Sequence, residues 1–179
     1  LGYMTKDSSG TWGEIKKITI PGFEIGDGYY AFYVTPDENT LLVSTAYDTT
    51  AYEDLYVSEK VEGNWTSLKS LGPNVNTLSI ETSPFITEDK QTLYFSSAGH
   101  GGYGETDLFK STRIGEGWDE WSTPVNLGDK INSPYFDAYL VVSSDGNTAY
   151  FSSNRGEKYT DIYYVADFDS QENKLLTLS

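Results

Sequence analysis

Four short motifs recur along the chain at a spacing of about fifty residues, and that period constrains the fold more than any other feature. The first is a polar turn followed by an apolar strand. It occurs at Thr35–Thr45 (TPDENTLLVST), Thr87–Ser97 (TEDKQTLYFSS) and Ser143–Ser153 (SSDGNTAYFSS), with starts 52 and 56 residues apart. The second is Asp followed by Leu or Ile and then Tyr or Phe, beginning at Asp54, Asp107 and Asp161. The third is a Trp after a glycine-containing turn: Trp12, Trp65 and Trp118, each 53 residues from the next. The fourth is Leu-Gly with a following Asn, at Leu71-Gly72 with Asn76 and at Leu127-Gly128 with Asn132. Independent anchors at one spacing mark a single structural unit copied along the chain.

Between the anchors, helical periodicity is almost absent. Short apolar runs rich in Tyr, Phe, Val and Leu are bounded by Gly, Asp, Asn, Ser and Pro, the signature of many short strands. Leu93-Tyr94-Phe95 and Ala149-Tyr150-Phe151 are apolar at consecutive positions, as expected of strands buried on both faces. Each unit predicts strand A (such as Pro84–Thr87), a turn, strand B (Leu93–Ser97), a loop, strand C (Asp107–Thr112), a turn, and strand D around the Trp. Asp37, Asp89 and Asp145 hold the third position of the A–B turn, where a carboxylate can bond to backbone two residues on; Gly146 and Asn147 tolerate positive φ. Four short antiparallel strands in about 40–55 residues describe a β-propeller blade. The expectation is therefore an all-β propeller of roughly three and a half four-stranded blades. Residues 1–20 form a half blade, and 29–72, 83–128 and 138–179 form blades, with the Lys174 tail as the last outer strand. This is expected to be a partial ring from a propeller of about six to eight blades, completed in cis or by a partner. Leu1 falls inside a repeat, so it is not expected to be the natural start.

At 179 residues the chain is long enough for one ordinary domain with a real core. Aromatic residues make up 15%, which suits pleated, packed surfaces. The formal charge of −15 disfavours nucleic acid and anionic lipid as partners and favours cations and basic protein patches. There is no cysteine, so disulfide and thiolate chemistry are excluded. No run approaches about 18 apolar residues, and direct membrane insertion by this segment is not expected. The first ten residues resemble neither a signal peptide nor another targeting sequence.

Asp145–Gly156 (DGNTAYFSSNRG), followed by Asp161-Ile162-Tyr163-Tyr164, resembles the TolB-type WD-like propeller repeat. Tyr94–Leu108 (YFSSAGHGGYGETDL) and Trp118–Asn132 are similar to the repeats that precede an OmpA-like peptidoglycan-binding domain in outer-membrane proteins of Bacteroidetes-type bacteria. The likeness covers nearly the whole chain, most strongly residues 83–165. It implies a periplasmic, outer-membrane-associated module that binds other envelope proteins, in some cases within secretion or gliding machinery. Glu81 and Asp137 fit the acidic position before strand A, whereas Tyr29 stands there in the first full blade. That blade also has Tyr47–Glu53 in place of the Gly-Gly-Tyr-Gly loop. No OmpA-like domain occurs in this sequence, so peptidoglycan binding is not assigned.

The candidate binding residues lie on the B–C loops, which gather at one rim: Tyr47, Asp48, Tyr52 and Glu53; His100, Tyr103 and Glu105; Arg155, Glu157 and Tyr159. Asp54, Asp107 and Asp161 recur once per blade, which predicts a structural hydrogen bond rather than one asymmetric catalytic set. Calcium at Glu105–Asp107 is the one metal alternative; no EF-hand-like loop exists, and no cofactor is otherwise expected. His100 is the only histidine, and Ser96 and Ser97 recur as Ser152 and Ser153, so a Ser–His–Asp arrangement is not expected. Thr5–Trp12 (TKDSSGTW) resembles the Asp-box hairpin of sialidase-like propellers, yet only Arg113 and Arg155 exist to hold a substrate carboxylate. The expectation is a non-enzymatic interaction module. The alternatives are a propeller gating a separate hydrolase or peptidase domain, and a glycan-binding propeller.

Overall fold

The computed structural model describes residues 1–47, 52–155 and 159–168, and the backbone of 174–177. The strands are β1 (Gly2–Tyr3), β2 (Lys16–Lys17), β3 (Ala31–Val34), β4 (Thr40–Thr45), β5 (Asp54–Val61), β6 (Asn64–Trp65), β7 (Lys69–Ser70), β8 (Glu81–Ile86), β9 (Thr92–Ser97), β10 (Asp107–Thr112), β11 (Val125–Asn126), β12 (Asp137–Val142), β13 (Thr148–Ser153), β14 (Asp161–Ala166) and β15 (Lys174–Thr177). They form antiparallel sheets in sequence order: β1-β2, then β3-β4-β5 with β6 and β7 both on β5, then β8-β9-β10-β11, then β12-β13-β14-β15. This is a segment of a β-propeller, with a partial first blade followed by three full ones.

The A–B turns are built alike. Asp37 Oδ1 accepts the Asn39 amide at 3.1 Å, Asp89 Oδ1 that of Gln91 at 3.0 Å, and Asp145 Oδ1 that of Asn147 at 3.1 Å. The hydroxyls of Thr35, Thr87 and Ser143 donate to the same carboxylates and accept the amides of Thr40, Thr92 and Thr148. These bonds favour the charged form. The carboxyls of Asp89 and Asp145 sit below the usual range, chiefly through those hydroxyls, and that of Asp37 well below it, chiefly through Lys90. The following residue enters the left-handed region in each turn (Glu38, Lys90 and Gly146).

Blades stack through three apolar layers. Ile18, Ile20 and Phe23 pack on Leu41 and Val43. Leu42 and Leu55 pack with Leu93, Phe95, Phe109 and Trp121. Tyr94 and Leu108 pack with Leu140, Phe151, Tyr163 and Val165. Strand B therefore sends alternate side chains to opposite neighbours, which explains its unbroken apolar run. Tyr150 and Ile162 occupy the positions of Tyr94 and Leu108 in the last blade. They are 41% and 56% exposed, because no described residues cover that face.

In the first and third blades the outer strand lies beyond the Trp rather than around it, and in the second β6 includes Trp65 and β7 follows it. The outer strands β2, β7 and β11 each follow their Trp by several residues. The Trp instead belongs to the C–D connection, where a cation on or just after strand C covers its ring: Lys6 on Trp12 (4.6 Å), Lys60 on Trp65 (5.5 Å) and Arg113 on Trp118 (4.3 Å). The recurrence is a cation–π pair, which spacing alone does not distinguish from a strand residue.

The second and third D–A linkers are each fixed to strand C by one asparagine. Asn132 Oδ1 accepts the Leu108 amide at 2.8 Å, and Asn132 Nδ2 donates to the Leu108 carbonyl at 3.0 Å. Asn76 does the same to Leu55, at 2.9 and 3.0 Å. Gly72 begins its linker at φ 81°, and a Cβ there would lie 2.8 Å from the Asp119 carbonyl oxygen, so only glycine fits. Replacing Asn132 with Ala strands the buried Leu108 amide, while the Leu108 carbonyl keeps the Leu127 amide, at about 1–3 kcal/mol. Thermal melting of Asn132→Ala should therefore fall by roughly 3–10 °C; an unchanged midpoint would show the clamp to be dispensable.

Candidate interaction rim

Glu81 pairs with Ser97 and Asp137 with Ser153, so the D–A linkers arrive at the same end of the blades as the B–C loops. That end is the rim expected from the sequence. Asp48 and Glu157 lie outside the described residues.

Three of the expected rim residues perform one task. Tyr47 Oη donates to the Gly22 carbonyl at 3.0 Å, His100 Nε2 bonds the Val75 carbonyl at 2.9 Å, and Arg155 Nη2 donates to the Ile131 carbonyl. A carbonyl only accepts, so His100 carries its proton on Nε2 in this arrangement. Each side chain lies over an aromatic residue of its own strand C: Tyr47 on Tyr56 (5.4 Å), His100 on Phe109 (5.4 Å) and Arg155 on Tyr163 (4.7 Å). His100 also meets Phe95, and Arg155 meets Phe151. These residues therefore lock a B–C loop to the preceding linker. Different chemistries serve because the common requirement is a donor on a flat group that can lie against a strand C ring, edge-on for Tyr47 and tilted for His100.

The remaining candidates face solvent. Tyr52 and Tyr103 are each 51% exposed, Tyr159 is 71% exposed, and Glu105 is exposed. The B–C loop of each full blade thus presents one exposed tyrosine at this end. The third loop is held tightly: the Tyr103 amide donates to Asp107 Oδ2, and a Cβ on Gly104 would lie 2.3 Å from the Ser133 carbonyl oxygen. Glu53 is half-buried, and its carbonyl accepts the Glu81 amide.

The recurring acids do not share one role. Asp107 Oδ2 also accepts Asn126 Nδ2 at 3.0 Å, a structural bond of the expected kind. Asp54 is buried, and Asp161 is exposed. The acid before strand A matters more than the sequence indicated. Glu81 is fully buried and accepts the Thr77 amide (2.7 Å), the Thr77 hydroxyl (2.8 Å) and the Ser97 hydroxyl (2.6 Å). Asp137, also buried, accepts the Ser133 amide and hydroxyl and pairs with Arg155 at 3.1 Å. Blade three has His100 where blade four has Arg155, so Glu81 lacks that ion pair. Burial, reinforced by the Glu81 charge, pushes the Asp54 carboxyl up to about 6. No group of three or more His, Asp or Glu side chains that could hold a metal ion occurs among the described residues.

The Asp-box likeness holds in geometry. Asp7 Oδ1 accepts the Ser9 amide, the Ser9 hydroxyl and the Thr11 amide at 2.9, 2.6 and 2.9 Å. The carboxylate ties the hairpin between β1 and β2.

No family model matches the sequence, and no curated protein is similar to it. Solved structures do share its fold. TolB from Acinetobacter baumannii is 18% identical with a TM-score of 0.58, covering 99% of this chain and 40% of its own. A putative TolB from Agrobacterium tumefaciens is 14% identical with a TM-score of 0.55, covering 98% of this chain and 61% of its own. The chain thus spans less than two thirds of either TolB chain, and the likeness shows the propeller fold alone. An α-L-arabinofuranosidase of Fusarium graminearum, in complex with arabinobiose, is 18% identical with a TM-score of 0.57, covering 99% of this chain and 58% of its own. This corrects the expectation of a non-enzymatic chain. The same blade arrangement carries a glycosidase, so neither fold nor repeat excludes enzymatic activity.

Asp54 makes a pH test available. Its pKa in the fold lies above the ordinary 3.8, so its protonated form is favoured by folding. That contribution is complete below the ordinary value and is lost as pH rises through about 6. The lowered turn aspartates act oppositely, and only at more acid pH. Melting should therefore rise between pH 7.5 and 5. Asp54→Asn should melt higher than the parent at pH 7.5, by about 2–4 °C for each kcal/mol relieved, and flatten the trend. An equal pH slope in both proteins would contradict the assignment.

Proposed function

We propose that this propeller segment is an envelope-protein-binding module. It works in the periplasm as part of a larger outer-membrane-associated protein of the kind its OmpA-family repeat likeness suggests. It holds its partner through Tyr52, Tyr103, Tyr159 and Glu105. The observation that carries this reading is the division of labour on the rim. One side chain per blade locks the loop, and one tyrosine per blade is left projecting from a loop so fixed. Rigid tyrosines offer large contact area at low entropic cost, and they are enriched among interface residues that dominate binding. The charge of −15 favours a partner with a basic patch. The similarity to TolB structures supports the setting. Pulldown from envelope extract should lose at least about tenfold of the captured partner when Tyr103 and Tyr159 are both changed to Ala. Undiminished capture by the double variant would sink rim binding.

A second reading, a carbohydrate-directed propeller, is favoured by the Asp7 hairpin and the fold shared with the Fusarium arabinofuranosidase. Saturable binding to a glycan array, insensitive to the two tyrosine changes, would select it over the first.

A further inference from the structure

The opposite end of the blades carries a cleft that rim binding does not use. Strand B runs from the A–B turn to the B–C loop, so the A–B turns gather at the far end. There a cleft of about 370 Å³ opens between the last three blades. That volume is within the range of small-ligand sites. Its walls include Tyr33 from β3, Phe85 from β8, Tyr94 from β9 and Val142 from β12, with Glu88 and Asp89 at the mouth. The rings are packed together: Tyr33 meets Phe85 edge-on at 4.9 Å, and Phe85 lies 6.2 Å from Tyr94.

The charge around it is one-sided. The turns Thr35–Thr40, Thr87–Thr92 and Ser143–Thr148 contain Asp37, Glu38, Glu88, Asp89 and Asp145 against a single base, Lys90. Lys90 is already spent on Asp37, at 2.8 Å. Hydrogen bonds within the turns hold the carboxyls of Asp89 and Asp145 below the usual range, and Lys90 does so for Asp37. Glu88 faces the cleft and is not fixed by that bonding, and its charge reaches Tyr33, whose phenol is pushed up by burial and then by Glu88. Aromatic side chains beside the Glu88 and Asp89 carboxylates are what an ammonium group on an apolar stem requires, since the stem packs on the rings and the charge meets the acids.

We propose that this cleft binds an alkylammonium ion. The group has two sources, a free polyamine or a lysine side chain on a polypeptide, and both present the same chemistry.

The test uses the intact chain and two probes, spermidine and a tri-lysine peptide, in calorimetric titrations at low and physiological salt. At least one probe should bind saturably at one site per chain. Glu88→Gln should weaken it at least fivefold, while Glu14→Gln, an exposed acid on the first hairpin, should change it less than twofold. Glu88 is exposed on a turn, so its replacement leaves the core intact. Binding of spermidine alone assigns a free amine, and binding of the peptide alone assigns a polypeptide donor. No saturable binding of either probe, or equal weakening by the two variants, overturns the proposal. Tyr103→Ala with Tyr159→Ala should leave this binding unchanged, so the outcome is independent of the rim.

Discussion

The bonds on which the rest of this structure depends join the D–A linkers to the blades they leave and to the blades they enter. A propeller blade alone has two apolar faces and little else. What keeps consecutive blades in register is the short linker that leaves strand D of one and enters strand A of the next. Here that linker is gripped from two sides. Asn76 or Asn132 satisfies both backbone groups of a strand C leucine, and Tyr47, His100 or Arg155 reaches from the B–C loop to a linker carbonyl. These groups are buried or half-buried, so each bond left unmade would cost more than the bond itself contributes.

That grip determines what the rim can be. A loop held by its own glycines, by a buried carboxylate and by a stacked donor is a poor candidate for a moving lid. It is a good platform for projecting side chains. The exposed rings of Tyr52, Tyr103 and Tyr159 stand at this end of the blades, and recognition by a rigid platform costs little ordering. The turns at the other end follow the same logic by other means. A hydroxyl and an aspartate close each one, which fixes negative charge around the cleft formed by Tyr33, Phe85 and Tyr94.

The architecture was legible in the sequence because its causes repeat at fixed spacing. The turn aspartates, the unbroken apolar run of strand B and the Leu-Gly…Asn linkers each have a local physical reason and recur with little change. The locking side chains were hidden for the opposite reason. Tyr47, His100 and Arg155 differ in type, and the B–C loops differ in length, so their equivalence exists only in space. Read singly, they looked like distinctive site residues. The Trp anchor misled in a milder way, since its partner is a cation near strand C and not a strand D neighbour. Asp54 and Glu81 belong to different blades, and nothing in the spacing shows that two buried carboxylates face each other where the next blade has an arginine. The fold shared with a glycosidase at 18% identity was not legible, because that likeness lies in shape and not in residues.

The central claim is that the linkers are bonded into the blades as firmly as the strands are. Native-state hydrogen exchange of the Leu55 and Leu108 amides measures this directly, because each is held by a linker asparagine and by no strand partner. The account predicts that both exchange only on global unfolding, alongside the amides of strand B such as Phe95. Exchange as fast as that of the exposed B–C loop amides would show that the linkers open independently, and the rigid rim would fall with them.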